Sequence, residues 1–382
     1  MFQKYHIRYY NFRLLIFTIA LAVIGVLAVG SADESLQSRQ LWGVVAGAFL
    51  MLILSVFDYS IILKLYWAIY IVNAILLVAV IFFGEEANNA QRWLKILGIQ
   101  FQPSELAKLL IILFFAAFIN RFEEQFNSLL CVLASFILFA VPAVLVFKQP
   151  DLSTTMVICV IFASIMVIGN LSIKTIAGIL AVVLPVFAIL IYLIMQPDQK
   201  ILSEYQKNRL FSFFNKEATA NDIGYQQTYS EMAIGSGQLL GKGYRNNEIY
   251  SVKNADFIAE QQTDFIFAVI GEEFGFVGCS TVIILIFLIT IECFRTALRA
   301  KDMAGRIIAA GVGTHIGFQS FINIGVVTFL LPNTGLPLPF VSYGLTSLIA
   351  SFLEIGFVLN VGLQYKQVVD RSVQSSGFDF DL

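Results

Sequence analysis

The stretch Glu260-Gln-Gln-Thr263-Asp264-Phe-Ile-Phe-Ala-Val-Ile-Gly-Glu272-Glu273-Phe-Gly275 runs a polar segment straight into an apolar run that carries acids. An ionisable group at membrane depth is costly unless it pairs or acts, so each acid is a candidate for chemistry. Wholly helical, Asp264 to Phe294 would be ~46 Å long against a hydrocarbon core of ~30 Å, which places Asp264 in or just outside the headgroup layer. At ~100° per residue Asp264, Ala268, Gly271, Gly275 and Gly278 share one face, whose small residues let neighbouring helices approach. Asp264, nearer to water and to any substrate than the other acids, is the candidate base. Glu272 and Glu273 lie ~12 Å and ~13.5 Å further along a regular helix and are expected to be buried partners of Arg92 or Lys108.

A second group is cationic. Arg92-Trp93-Leu-Lys95 precedes Gln102-Pro103-Ser104-Glu105-Leu-Ala-Lys108, in which Ser104 is a candidate N-cap. A helix start with three cations nearby suits a phosphate or pyrophosphate headgroup. The plainer alternative is that Glu105 and Lys108 pair at i, i+3 while Arg92 snorkels to lipid phosphates. Lys148-Gln-Pro-Asp151 by itself reads as a helix cap in a proline turn. Gly235-Ser-Gly237-Gln-Leu-Leu-Gly241-Lys242-Gly243 resembles a phosphate loop, but lacks Gly where Ser236 stands and Ser or Thr where Gly243 stands, so a tight turn is expected. His315, Gln319 and Asn323 recur at i, i+4. With no carboxylate in that stripe, interhelical hydrogen bonding is expected in preference to a proton relay. Three prolines between Leu331 and Gly344 predict a rigid turn able to line a lipid groove.

The elements that position these residues follow from composition. With 58% hydrophobic and 13% charged residues and a mean hydropathy of +0.80, the chain is predicted to be an all-α integral membrane protein. A net charge of −2 and dispersed basic residues argue against a nucleic-acid partner. Cys131, Cys159, Cys279 and Cys293 lie in apolar runs without a CxxC pair and read as small core residues, and His6 and His315 are too few for a histidine metal centre. Apolar runs predict about ten spans, near 12–30, 41–57, 64–83, 105–120, 128–147, 153–170, 174–195, 265–294, 307–330 and 343–363. Lys64, Arg121, Lys174, Arg295, Arg299 and Lys301 then fall on one side with both termini, and the positive-inside rule makes that side cytoplasmic. The first span is longer than a signal-peptide core despite Ala28-Val29-Gly30, which favours a retained span. Residues 1–366 form one polytopic membrane domain. Residues 196–263, between spans seven and eight, are its long extracellular loop, and 367–382 are expected to be a disordered tail.

Taken together these motifs resemble the SEDS family of peptidoglycan glycan polymerases. The resemblance rests on the span pattern, Gln102 to Lys108, Lys148-Gln-Pro-Asp151-Leu, Ile234-Gly-Ser-Gly, Thr263-Asp264-Phe-Ile-Phe with Gly271-Glu-Glu, and Pro337-Leu-Pro with Ser342-Tyr343-Gly344. Gly335-Leu-Pro337-Leu-Pro339 is similar to the elongation branch more than to the division branch. Ala259, Ser153 and Leu345 depart from residues common in the family.

The resemblance implies transfer of a glycan strand from undecaprenyl pyrophosphate to lipid II, with inversion and with Asp264 as base. It implies substrate contacts among Arg92, Trp93, Lys95, Gln102, Ser104, Glu105, Lys108, Asp151, Glu260, Thr263 and Ser342, and supporting roles for Glu272, Glu273, His315, Gln319 and Asn323. A divalent cation, Mg or Mn, with unassigned ligands is the one cofactor implied, without a nucleotide or organic group. The implied partners are a class B penicillin-binding protein and other elongation-complex proteins, at the bacterial plasma membrane with the site on its extracytoplasmic face. The rival activities are a lipid II flippase, which the outward concentration of ionisable groups disfavours, and a scaffold without chemistry.

Overall fold

The computed structural model describes residues 10–87, 90–96, 99–194, 196, 213, 224–245 and 261–364. In chain order the helices are α1 (Phe12–Ala32), α2 (Glu34–Val56), the short α3 (Tyr59–Leu63), α4 (Tyr66–Phe83), α5 (Pro103–Arg121), α6 (Leu129–Phe147), α7 (Leu152–Ile168) and α8 (Ile173–Ile194). There follow α9 (Tyr225–Ser236), α10 (Ile266–Leu298), α11 (Met303–Val327) and α12 (Leu345–Gln364). The apolar runs of the sequence all fold as helices. Among the described residues eight helices are long and apolar enough to cross a membrane, while Leu152–Ile168 and Ile173–Val186 are shorter apolar stretches. The protein is an all-α, multi-pass integral membrane protein.

Caps set where the helices begin. Asn11, Asp33, Ser128, Asp151 and Asp302 each accept a backbone N–H of the first turn of α1, α2, α6, α7 and α11. Helices α5, α11 and α12 are buried over 83%, 72% and 67% of their apolar stretches, against 17% for α4, so these three make the centre and α4 faces outward. The central three carry the buried side chains of Glu105, Lys108, His315, Gln319, Asn323 and Glu354. Cys131, Cys279 and Cys293 are buried as expected, but Cys159 is exposed on the surface of α7, where an apolar environment serves as well as a core.

Two features were not read from the sequence. Residues 84–102, read as a loop leading into a helix, contain three short antiparallel strands, β1 (Glu85–Ala87), β2 (Ala90–Ile96) and β3 (Ile99–Phe101), in the order β1-β2-β3. The second is a break in α10 at Gly275 (φ 59°, ψ −155°), a backbone conformation that only glycine adopts readily. In a straight helix the N–H groups of Phe276 and Val277 would bond the carbonyls of Glu272 and Glu273. Here Phe276 and Val277 donate to the carbonyls of Gln238 and Leu239, and the carbonyls of Glu272 and Glu273 accept from Lys242 and Gly243. The segment expected to be a tight turn is therefore threaded into the break and replaces two lost helical hydrogen bonds with four. It fits because a Cβ at Gly241 (φ 81°) would lie 2.1 Å from the Glu273 carbonyl oxygen.

Candidate active site

One end of the bundle gathers the strands, the Gln149–Asp151 turn, α9 with the 237–245 segment, the 261–265 turn and the 331–344 loop. Asp264 stands in that turn, before α10 begins at Ile266, and not on the helix face that periodicity predicted. Its backbone is held from two sides. Asn323 Nδ2 donates to the Asp264 carbonyl at 2.8 Å and to that of Leu336 at 2.7 Å. Ser342 Oγ donates to the Thr263 carbonyl at 2.6 Å while accepting from Leu338 N–H at 2.7 Å, and Tyr343 N–H donates to the Gln262 carbonyl at 2.9 Å. The proline-rich loop thus clamps the segment that carries Asp264. Ser342, expected to touch substrate, has its hydroxyl engaged both as donor and as acceptor, and Thr263 contributes its carbonyl to the clamp.

Beneath the clamp, α5 and α11 meet in a buried ionic contact. Lys108 Nζ lies 2.9 Å from Glu105 Oε1 and 2.6 Å from Gln319 Oε1. The i, i+3 pairing considered as the plainer alternative is therefore formed. Lys108 has no exposed surface, so this ammonium supports the site and does not present itself to a ligand. Gln102, with Pro103 after it, caps α5; Ser104, expected in that place, lies inside the first turn and accepts from Gln102 Nε2. The resulting start of α5 has no side-chain cap.

The three cations do not form one cluster. Arg92 Nη1 is 3.9 Å from Asp151 Oδ1, and its Nη2 donates to the Pro150 carbonyl. Asp151 is the cap of α7 through Thr154 N–H, as its turn suggested. Lys95 is exposed and 3.8 Å from Glu85 across the β1–β2 pair. Trp93 is partly exposed on β2, in register with Glu85.

The acids of α10 take other partners than those expected. Glu272 pairs with Lys242 at 2.7 Å. Glu273 accepts from Ser31 Oγ and from Arg245 N–H at 3.2 Å. The break at Gly275 explains both, because it brings the 237–245 segment against these carboxylates in place of β2 or α5. The stripe His315, Gln319, Asn323 does include a carboxylate: Glu354 on α12 lies 2.7 Å from His315 Nδ1. The signal for Glu354 was present in the sequence as a lone acid within an apolar run, the kind of residue that marks a function by default. Glu260, His6 and the tail 367–382 lie outside the described residues.

A bundle of apolar helices with a partly exposed acid on a clamped turn at one end, above a buried ionic centre, defines a class: a multi-pass integral membrane protein with a candidate acid site at one end of its bundle. The FTSW_RODA_SPOVE family model, described as cell cycle protein, matches residues 6–367. The peptidoglycan glycosyltransferase MrdB of Escherichia coli K12 is 33% identical over 367 residues, covering 94% of this chain and 95% of that protein. The probable peptidoglycan glycosyltransferase FtsW of Bacillus subtilis is 33% identical over 347 residues, covering 90% and 85%. Among solved structures, a peptidoglycan synthase complex coordinating polymerization and crosslinking contains a chain that aligns with a TM-score of 0.78 at 26% identity, over 94% of this chain and 99% of that one. The rod shape determining protein RodA of Thermus thermophilus aligns with a TM-score of 0.68 at 26% identity, over 94% and 98%. The chain belongs to the FtsW/RodA/SpoVE family, with RodA-like character.

Proposed function

We propose that this peptidoglycan glycosyltransferase joins the reducing end of a glycan strand, carried on undecaprenyl pyrophosphate, to the 4-hydroxyl of a lipid II N-acetylglucosamine, with Asp264 as general base. One observation carries the assignment. Glu105, Glu272, Glu273 and Glu354 are each 3% exposed or less, whereas Asp264 is partly exposed and its backbone is fixed by Asn323 and the Ser342 loop. A partly exposed carboxylate on a fixed stretch of backbone suits general-base catalysis.

In the step proposed, the acceptor oxygen attacks the anomeric carbon from the face opposite the pyrophosphate. The C–O bond to phosphate breaks with its electron pair leaving on the pyrophosphate, and the hydroxyl proton passes to Asp264. An α-linked donor giving a β-1,4 product inverts the centre, so one displacement and one base suffice. The base contributes 10²–10⁴-fold, roughly 3–5 kcal/mol of barrier. Arg92 and the start of α5, which lacks a side-chain cap, receive the leaving pyrophosphate in this reading. A divalent cation, Mg or Mn, would accompany the pyrophosphate. Among the described residues no group of three or more His, Cys, Asp or Glu side chains comes together to hold a resident ion.

The similarity to RodA supports a role in elongation and a class B penicillin-binding protein as partner, in a bacterial plasma membrane with Asp264 on the extracytoplasmic side, where the positive-inside rule puts it. Polymerisation of lipid II by purified wild-type protein and by Asp264→Ala, with the cognate penicillin-binding protein present and divalent ions varied, tests the reading. Loss of polymer from a folded variant supports Asp264 as base, and full polymerisation by it removes that role. No polymer from well-folded wild type would return a lipid II flippase to consideration.

A further inference from the structure

The buried contact of α5 with α11 is part of a longer array that ends on α12. Lys108 Nζ donates to Glu105 Oε1 and to Gln319 Oε1, and Gln319 Nε2 donates to the Pro337 carbonyl at 2.9 Å. His315 Nε2 lies 2.9 Å from the same Gln319 Oε1, and His315 Nδ1 lies 2.7 Å from Glu354 Oε2. Glu105, Lys108, His315, Gln319 and Glu354 are all 2% exposed or less.

Donor and acceptor chemistry fixes the protons of this array. An ammonium only donates and a main-chain carbonyl only accepts, so the Gln319 amide has one orientation, oxygen toward Lys108 and nitrogen toward Pro337. Its oxygen therefore requires a hydrogen on His315 Nε2. On the other side of the ring, Nδ1 and a carboxyl oxygen at 2.7 Å neither face each other bare nor both carry hydrogen. A single proton lies between them. Whichever atom it sits on, the His315–Glu354 pair is neutral, and so is the whole array once Glu105 and Lys108 are included.

We propose that His315 and Glu354 are positioning residues for glycosyl transfer: by sharing one proton they fix the Gln319 amide, which holds Lys108 on one side and the Pro337 carbonyl on the other. Pro337 belongs to the loop whose Ser342 and Tyr343 hold the carbonyls of Thr263 and Gln262, next to Asp264, so the pair acts on Asp264 through that loop. This rests on Asp264 as the reacting carboxylate. Removing the proton would leave a buried carboxylate in apolar surroundings, where Glu354 Oε1 already has no partner.

The test compares Glu354→Leu, Glu354→Gln and the double variant His315→Phe with Glu354→Leu, in full-length protein with its penicillin-binding partner. Glu354→Leu is expected to lower kcat roughly 10²-fold, the scale of an ångström misplacement, with little change in KM for lipid II. Glu354→Gln, which donates an amide N–H to the bare Nδ1 and keeps the array neutral, is expected to recover most of that loss. The double variant removes both polar groups and is expected to regain the thermal stability of wild type while kcat stays low. Recovery of kcat along with stability in the double variant, or equal loss in Glu354→Leu and a folded Glu354→Gln, would overturn the proposal. Independently of folding in the variants, ¹⁵N-histidine NMR of wild type should show His315 protonated at Nε2; a bare Nε2 would also overturn it. If Asp264→Ala keeps full activity, the base assignment fails, while the kcat pattern of the Glu354 variants and the His315 tautomer are still read separately.

Discussion

Lys242 and Glu272 are joined twice, once by side chains at 2.7 Å and once by the Lys242 N–H donating to the Glu272 carbonyl at 2.9 Å. The first link neutralises a carboxylate that is 2% exposed, and the second repairs the broken helix. Because the backbone link survives side-chain truncation, Lys242→Ala should keep the fold and lose stability by about 3 kcal/mol, the low end for breaking a buried pair. Thermal unfolding in detergent reads this, and adding Glu272→Gln to the alanine variant should restore part of the loss.

Gly275→Ala should be more damaging. A Cβ at that position would lie 2.4 Å from Gly241 N, at a φ of 59° that a side chain disfavours. The expected cost is about 3 kcal/mol or more, because both strain and collision act. Gly235→Ala is the matched control: a Cβ there meets nothing within 4 Å, so a small helical gain of up to ~1 kcal/mol is expected. A destabilised Gly235→Ala would show that glycine content, and not the break, governs this region.

Glu105→Ala should strand the Lys108 ammonium where it has no exposed surface, costing about 3–5 kcal/mol. The double variant Glu105→Leu, Lys108→Met should fold better than the single one, since it removes both charges at once. Unfolding curves of the two preparations decide between this and a contact of little weight. Lys95→Ala, by contrast, breaks an exposed pair and should shift stability by less than ~0.5 kcal/mol.

Ser342→Ala frees the Thr263 carbonyl and the Leu338 N–H together. The buried Leu338 N–H and the half-buried Thr263 carbonyl each lose a partner, so a stability loss of roughly 1–3 kcal/mol is expected, with polymerisation falling by more than binding of lipid II. A KM increase at constant kcat would instead return Ser342 to direct substrate contact.

How much of this was legible varies by element. The helices were, since long apolar runs have few other uses and a cap such as Asp151 in its proline turn announces itself. Asp264 was legible as an acid at the rim of a span, but its place before the helix was not, because polar-to-apolar change marks the membrane boundary and not the first helical turn. The break at Gly275 left no trace in periodicity: glycines also stand at 271 and 278 in the same run, and the compensating partners come from a segment more than thirty residues earlier. The pairing of Glu272 and Glu273 followed from that break and was missed with it. Residues 85–101 are too short as strands, and too mixed in pattern, for alternation to stand out. Glu354 was legible in principle, as a lone acid in the last span, and Gln319 and His315 gave the helical spacing that points at it.

Chain order gives the break in α10 a further meaning. Gln238, Leu239, Lys242 and Gly243 are synthesised before Glu272 to Val277, so the groups that satisfy the break leave the ribosome ahead of the helix that contains it. The earlier segment is a ready-made splint, and α10 can bend as it enters the membrane with its four displaced backbone groups received on arrival.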